Sequence, residues 1–124
     1  MKILILLMIL VFTSTAYAGQ LNATWYSTKS LKREGTWKHG ERRMANGDRF
    51  DENALICATR LWPLDVLLRI TNTTNGRSVT CRVSDRIGKR FTNNRIDLSR
   101  AAFQRIGSLN SGIIPVQVEE VKHE

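Results

Sequence analysis

The chain has 124 residues, two cysteines, two histidines and a net charge of +8. That length holds one small domain with a single core rather than two. The basic balance favours an anionic partner through long-range attraction and carries no information about fold. Its cations (Lys29, Arg33, Arg42, Arg60, Arg77, Arg90 and Arg105 among them) are scattered with no stacked aromatic stripe between them, so nucleic acid is not indicated.

The first eighteen residues, Met1-Lys2, then ILILLMILVF, then TSTAYA, have the charged start, apolar run and small-residue cut site of a secretory signal peptide. The apolar run is far shorter than the roughly 20 residues that span a bilayer, and no cysteine lies near the cut, so no membrane anchor is predicted after cleavage. Cleavage after Ala18 leaves a domain of residues 19–124 with a net charge of +7, because Lys2 is the only charged residue removed. Such a product is periplasmic or secreted.

In chain order, LNATWYS (21–27) reads as a first strand. Residues 28–49 are polar, glycine-punctuated and irregular; they read as one long loop, and a loop of that length in a small domain is usually functional. ALICAT (54–59) is a short apolar strand that ends before Pro63. VLLRITN (66–72) puts Val66, Leu68 and Ile70 on one face, and RSVTCRV (77–83) repeats the alternation with Val79, Cys81 and Val83. Asn75-Gly76 between them is a hairpin-turn signal. DLSRAAFQRIG predicts one short helix, capped by Asp97 or Ser99 and ended by Gly107, with Leu98, Ala102 and Ile106 on one face. GIIPVQVEEV (112–121) is a last strand. Many short strands and one helix predict a mainly β small barrel or sandwich.

Export places Cys57 and Cys81 where disulfides persist. A bridge between them would close a loop of about 25 residues and stabilise the fold by roughly 3 kcal/mol. The alternative is two buried thiols packed as small apolar groups. Two cysteines without an adjacent histidine supply too few ligands for zinc.

Asp85 continues the parity of Val79, Cys81 and Val83, so its carboxylate faces the barrel side where the strand runs out, at a rim. The local pattern leaves two roles open, a turn or capping aspartate with Arg86 as its candidate partner, or a chemical group.

The ordered set ATWYS, MANGDRF, ITNTTNGRSV, VSDR and RIDLSRAAF, with the terminal SGIIPVQVEEV, resembles the rare lipoprotein A (RlpA) family over residues 23–121. The resemblance implies a six-stranded double-psi β-barrel with one short helix, a fold shared with expansins. It implies a peptidoglycan lytic transglycosylase that cuts between N-acetylmuramic acid and N-acetylglucosamine, leaves a 1,6-anhydro end, and favours glycan strands denuded of stem peptides. A monomer that needs neither cofactor nor metal is expected. The family's catalytic aspartate falls on Asp85, and the acidic residue of its ANGE motif falls on Asp48. Its histidine falls on Thr59, a departure, and the loop after Asp85 is altered to DRIGKRF. Arg86, Arg95 and Asp97 match as well, with Asp97 a framework residue.

Glycosidic cleavage with intramolecular closure needs an acid for the leaving O4 and a base for the C6 hydroxyl, and one carboxyl group can serve in turn as both. An aspartate acts as an acid near neutral pH when desolvation or a neighbouring carboxylate raises its pKa, and Asp48 is the candidate neighbour. Threonine at 59 donates a hydrogen bond but does not titrate, which predicts either a weakened site or one rebuilt around the aspartates. Tyr26 and Trp37 are equally suited to stacking on a sugar face or to packing in a core; for Trp25 and Trp62 core packing is the stronger reading. Asn46 would shape the groove beside Asp48, and Arg86 would contact framework or substrate carboxylates. His39 and His123 read as solvated surface residues. A non-catalytic wall-binding or wall-loosening module, similar in mode to expansins, is the competing reading, motivated by Thr59 and the altered loop. Hydrolysis through paired carboxylates is a third.

Overall fold

Alternating apolar side chains give each strand one face to bury, and burying all of these faces on a common core closes the sheet on itself. In a computed structural model of the protein, which describes residues 21–91 and 94–122, six strands form that closed barrel. They are β1 (Leu21–Tyr26), β2 (Ile56–Ala58), β3 (Leu67–Asn72), β4 (Ser78–Asp85), β5 (Arg95–Ser99) and β6 (Ile114–Val121). Around the barrel the order is β1-β5-β2-β4-β3-β6, with β1/β5 and β2/β4 parallel and the other pairings antiparallel. This is the six-stranded double-psi barrel expected from the sequence. The signal peptide predicted for residues 1–18 and His123 lie outside the described residues.

The core matches the alternation. Leu68 and Ile70 of β3 and Val79, Cys81 and Val83 of β4 are buried together with Leu21, Ala23, Ile96, Leu98, Val116 and Val118. Cys57 of β2 and Cys81 of β4 are joined by a disulfide, with Cα atoms 5.8 Å apart. The helix α2 (Arg100–Ile106) packs Ala102, Phe103 and Ile106 onto the same core. The β3–β4 turn fastens to its end: the amides of Asn72 and Asn75 donate to the Ile106 carbonyl at 2.8 and 2.9 Å, satisfying an acceptor left open by the last helical turn.

Two elements differ from the sequence reading. The predicted loop at 28–49 begins with a helix, α1 (Thr28–Arg33), started by a capping box in which the Ser27 hydroxyl accepts from Ser30 N and the Ser30 hydroxyl accepts from Ser27 N. Asp97 does not cap α2. It lies within β5, which runs directly into the helix, and Ser99 is the N-cap, its hydroxyl accepting from Ala102 N at 3.2 Å and donating to the Ala54 carbonyl at 2.6 Å.

A second, smaller core sits beside the barrel and positions the site. Leu31 of α1, Met44 and Phe50 of the following segment, Tyr26, Ile56, Ala58 and Ile87 are buried together. The rings of Tyr26 and Phe50 meet at 4.6 Å between centroids. These apolar anchors pin the polar segment 36–50 across the end of β4.

Candidate functional site

Strict alternation ends with β4, where Val83, Ser84 and Asp85 are all buried. The cause lies in the neighbouring strand: the parallel β2/β4 register shifts between Cys57 and Ala58, so that Ala58 pairs with Asp85. A bulge of this kind re-aims side chains at a barrel rim. Asp85 is only 4% exposed, so its carboxyl oxygens need protein partners, and they have four. Arg42 Nη1 donates to Oδ2 at 2.6 Å, and the Tyr26 hydroxyl approaches the same oxygen at 3.5 Å. The backbone N–H groups of Ala45 and Arg86 donate to Oδ1 at 3.2 and 2.9 Å. Burial, reinforced by the charge of Asp85, pushes the Tyr26 hydroxyl far above the usual tyrosine range, while Arg42 pulls the other way.

Around this carboxyl is a cavity of about 300 Å³, lined among others by Tyr26, Arg42, Asp85, Arg86, Arg95 and Asp97. Two of its lining residues, Arg95 and Asp97, form a polar triad with Thr24. Asp97 Oδ1 accepts from Arg95 Nε at 2.8 Å and from the Thr24 hydroxyl, and Arg95 Nε also donates to the Thr24 hydroxyl at 2.9 Å. Arg86 lines the cavity with its guanidinium turned to the framework, where Nη1 donates to the carbonyls of Thr59 and Trp62, each at 2.6 Å.

Of the residues singled out in the sequence, Asp85, Tyr26, Arg86, Arg95 and Asp97 meet here, whereas Asp48, Asn46, Thr59 and Trp37 do not line this cavity. Asp48 is exposed on the turn that supplies the Ala45 amide. Asn46 holds it there: the Asn46 amide donates to Asp48 Oδ2 and to Asp65 Oδ1, both at 3.0 Å, and Asn46 Oδ1 accepts from Asp48 N. The turn requires a left-handed residue at Gly47 (φ +93°) and is tied to β4 by Asn46 N donating to the Ser84 carbonyl at 3.1 Å. Thr59 is fully buried, and its hydroxyl accepts from Leu61 N at 3.1 Å; its link to Asp85 is through backbone, Thr59 N to the Asp85 carbonyl. Trp37 packs on the smaller core with the Lys32 ammonium 5.9 Å from its ring centre.

Sequence reasoning did not single out Arg42 as a partner of Asp85. One cation among several in a polar segment carries no local signal, and the contact spans 43 positions. The Thr24–Arg95–Asp97 triad left a trace only in the matching RIDLS motif.

A family model described as lytic transglycolase matches residues 18–118, and the chain belongs to that family. The endolytic peptidoglycan transglycosylase RlpA of Neisseria meningitidis serogroup A is 39% identical over 100 residues, covering 81% of this chain and 38% of its own length. The Campylobacter jejuni protein of that name is also 39% identical over 100 residues, covering 80% of this chain and 32% of its own. The chain thus spans well under half the length of these curated relatives. Among solved structures, a Clavibacter michiganensis expansin in complex with cellohexaose superposes with a TM-score of 0.61 at 20% identity, over 85% of this chain and 50% of its own. The Streptomyces papain inhibitor gives 0.63 at 21%, over 85% and 96%. At those identities the likeness is one of fold.

Proposed function

We propose that this domain is an exported peptidoglycan lytic transglycosylase that cleaves the bond between N-acetylmuramic acid and N-acetylglucosamine, with Asp85 as its acid and base. The observation that carries the reading is a nearly buried carboxyl at the end of β4, lining a polar cavity in a chain of the lytic transglycosylase family. Asp85 gives a proton to O4 as the bond from the muramoyl C1 to O4 breaks. It then takes the proton of the C6 hydroxyl as O6 bonds to C1, so no water is consumed and the carboxyl is restored. The Tyr26 hydroxyl and the Ala45 and Arg86 amides fix the carboxyl's orientation. Arg42 stands at Oδ2, and the sugar takes its place there. Asp48 acts at a distance by shaping the turn that supplies the Ala45 amide. The matching leader pattern supports a periplasmic or secreted location, glycan strands denuded of stem peptides are the substrate, and the domain works as a monomer. Digestion of denuded glycan by the wild-type chain, read by mass spectrometry, is expected to release 1,6-anhydromuramoyl ends; reducing muramic ends would mean hydrolysis, and no product would overturn the reading.

The Arg42–Asp85 pair also favours a second reading, a wall-binding module that holds glycan without cutting it. Its signature is pelleting with insoluble peptidoglycan that weakens as salt rises, without soluble product.

A further inference from the structure

On the other side of α1 lies a larger cavity, about 540 Å³, that the chemistry above does not use. Its apolar wall is Trp25, which packs against the main core and is fixed by its indole N–H donating to the Leu109 carbonyl at 3.1 Å. Three cations line it, Lys29, Lys32 and Arg100, against one carboxylate, Glu52. Glu52 is already engaged: Oε2 accepts from Thr28 N at 3.1 Å, and Oε1 lies 3.9 Å from Arg100. Lys32 reaches toward Trp37, and Lys29 makes no hydrogen bond or ion pair among the described residues. An immobilised indole presents a surface on which the apolar face of a pyranose packs, and an excess of cations beside it selects a sugar that carries negative charge.

We propose that this cavity is a second saccharide site, specific for a carboxylate-bearing sugar, namely a muramic acid residue with a free lactyl carboxylate held by Lys29 beside Trp25. The proposal rests on the wall-glycan reading for its ligand but not on catalysis. Thr28, Lys29 and Lys32 of α1 face this cavity, and Leu31 and Glu34 face the Asp85 cavity. One short helix is therefore a wall of both.

The test uses the Asp85→Asn chain, in which turnover is expected to fall by a factor on the order of 10²–10⁴, and two tetrasaccharides titrated by calorimetry: uncharged chitotetraose, and alternating N-acetylglucosamine and N-acetylmuramic acid with free lactyl carboxylates. The carboxylated ligand is expected to bind ~10-fold more tightly, as one charge-assisted contact allows. It should also shift the Trp25 indole N–H resonance. Lys29→Ala combined with Lys32→Ala, both at exposed positions, should bring its affinity down to that of chitotetraose. Equal affinities in the parent chain, or a preference that survives the double lysine substitution, overturns the proposal. Failure of the wild-type chain to release anhydro ends would overturn the catalytic reading alone, and anhydro release with equal affinities would overturn the second site alone.

Discussion

On one side of α1 the carboxyl of Asp85 is buried and met by four donors, two of them backbone amides; on the other, Lys29 and Lys32 stand in solvent near the half-buried Trp25. The first arrangement is rigid because its polar groups have lost water and must be satisfied by protein, so their geometry is set by the fold. The second is adaptable, since long exposed side chains keep their hydration until a ligand replaces it. A group that transfers protons needs the first kind of environment, and a group that selects among ligands by charge is served by the second. The same six-residue helix separates the two.

The strongest way to break this contrast is to loosen the helix itself. Leu31 is the one buried residue of α1, and Leu31→Ala should cost ~2–5 kcal/mol in urea unfolding and disturb both cavities at once. Unchanged stability would show that α1 is not held by the smaller core. Next in size is Arg42→Ala, which leaves a nearly buried carboxyl without its charged partner and should cost ~1–3 kcal/mol, whereas Lys29→Ala should fall within about 0.5 kcal/mol of the parent. Equal losses for the two would erase the distinction between the two sides of α1.

Tyr26 sharpens the contrast through pH. Its proton is held more tightly in the folded chain than in the unfolded one, so the stability it contributes is complete below the unfolded value of about 10 and is lost as pH rises above it toward the folded value. Tyr26 is the only tyrosine from Gly19 onward, so in that chain phenolate absorbance should appear only with unfolding, and Tyr26→Phe should flatten the alkaline fall in stability. Phenolate absorbance in the folded chain near pH 10 would contradict its burial. The smallest effect is expected at Asp48: Asp48→Asn should change stability by less than about 0.5 kcal/mol and lower cleavage by much less than loss of Asp85. A loss as large as that at Asp85 would place Asp48 in the chemistry.

How much of this could be read in the sequence depends on how local each cause is. The β3–β4 hairpin is legible because Leu68, Ile70, Val79, Cys81 and Val83 repeat with period two around an Asn-Gly turn, and the inward parity of Asp85 follows from the same pattern. The helix α1 is not, because six residues with one apolar contact give no periodicity and only the Ser27–Ser30 cap marks it. Strand β5 was hidden by ambiguity: Asp97 and Ser99 both look like caps, and Ile96 and Leu98 are too few to announce a strand that passes into a helix without a turn. The family pattern points Asp48 and Asp85 to one site, but the side-chain direction of Asp48 is decided by the Asn46 amide and by Asp65, contacts that no motif spacing encodes. The pairing of Arg42 with Asp85 depends on how the smaller core folds the 36–50 segment back over β4, which is a tertiary result.

The role of Asp85 is decided by the release of anhydromuramoyl ends from denuded glycan by the wild-type and Asp85→Asn chains at equal concentration, with unfolding curves and glycan affinity recorded for both. Asp85→Asn is expected to stay folded, still bind glycan, and lose activity by a factor on the order of 10²–10⁴. Release of the same product at an undiminished rate by the folded Asp85→Asn chain would contradict that role.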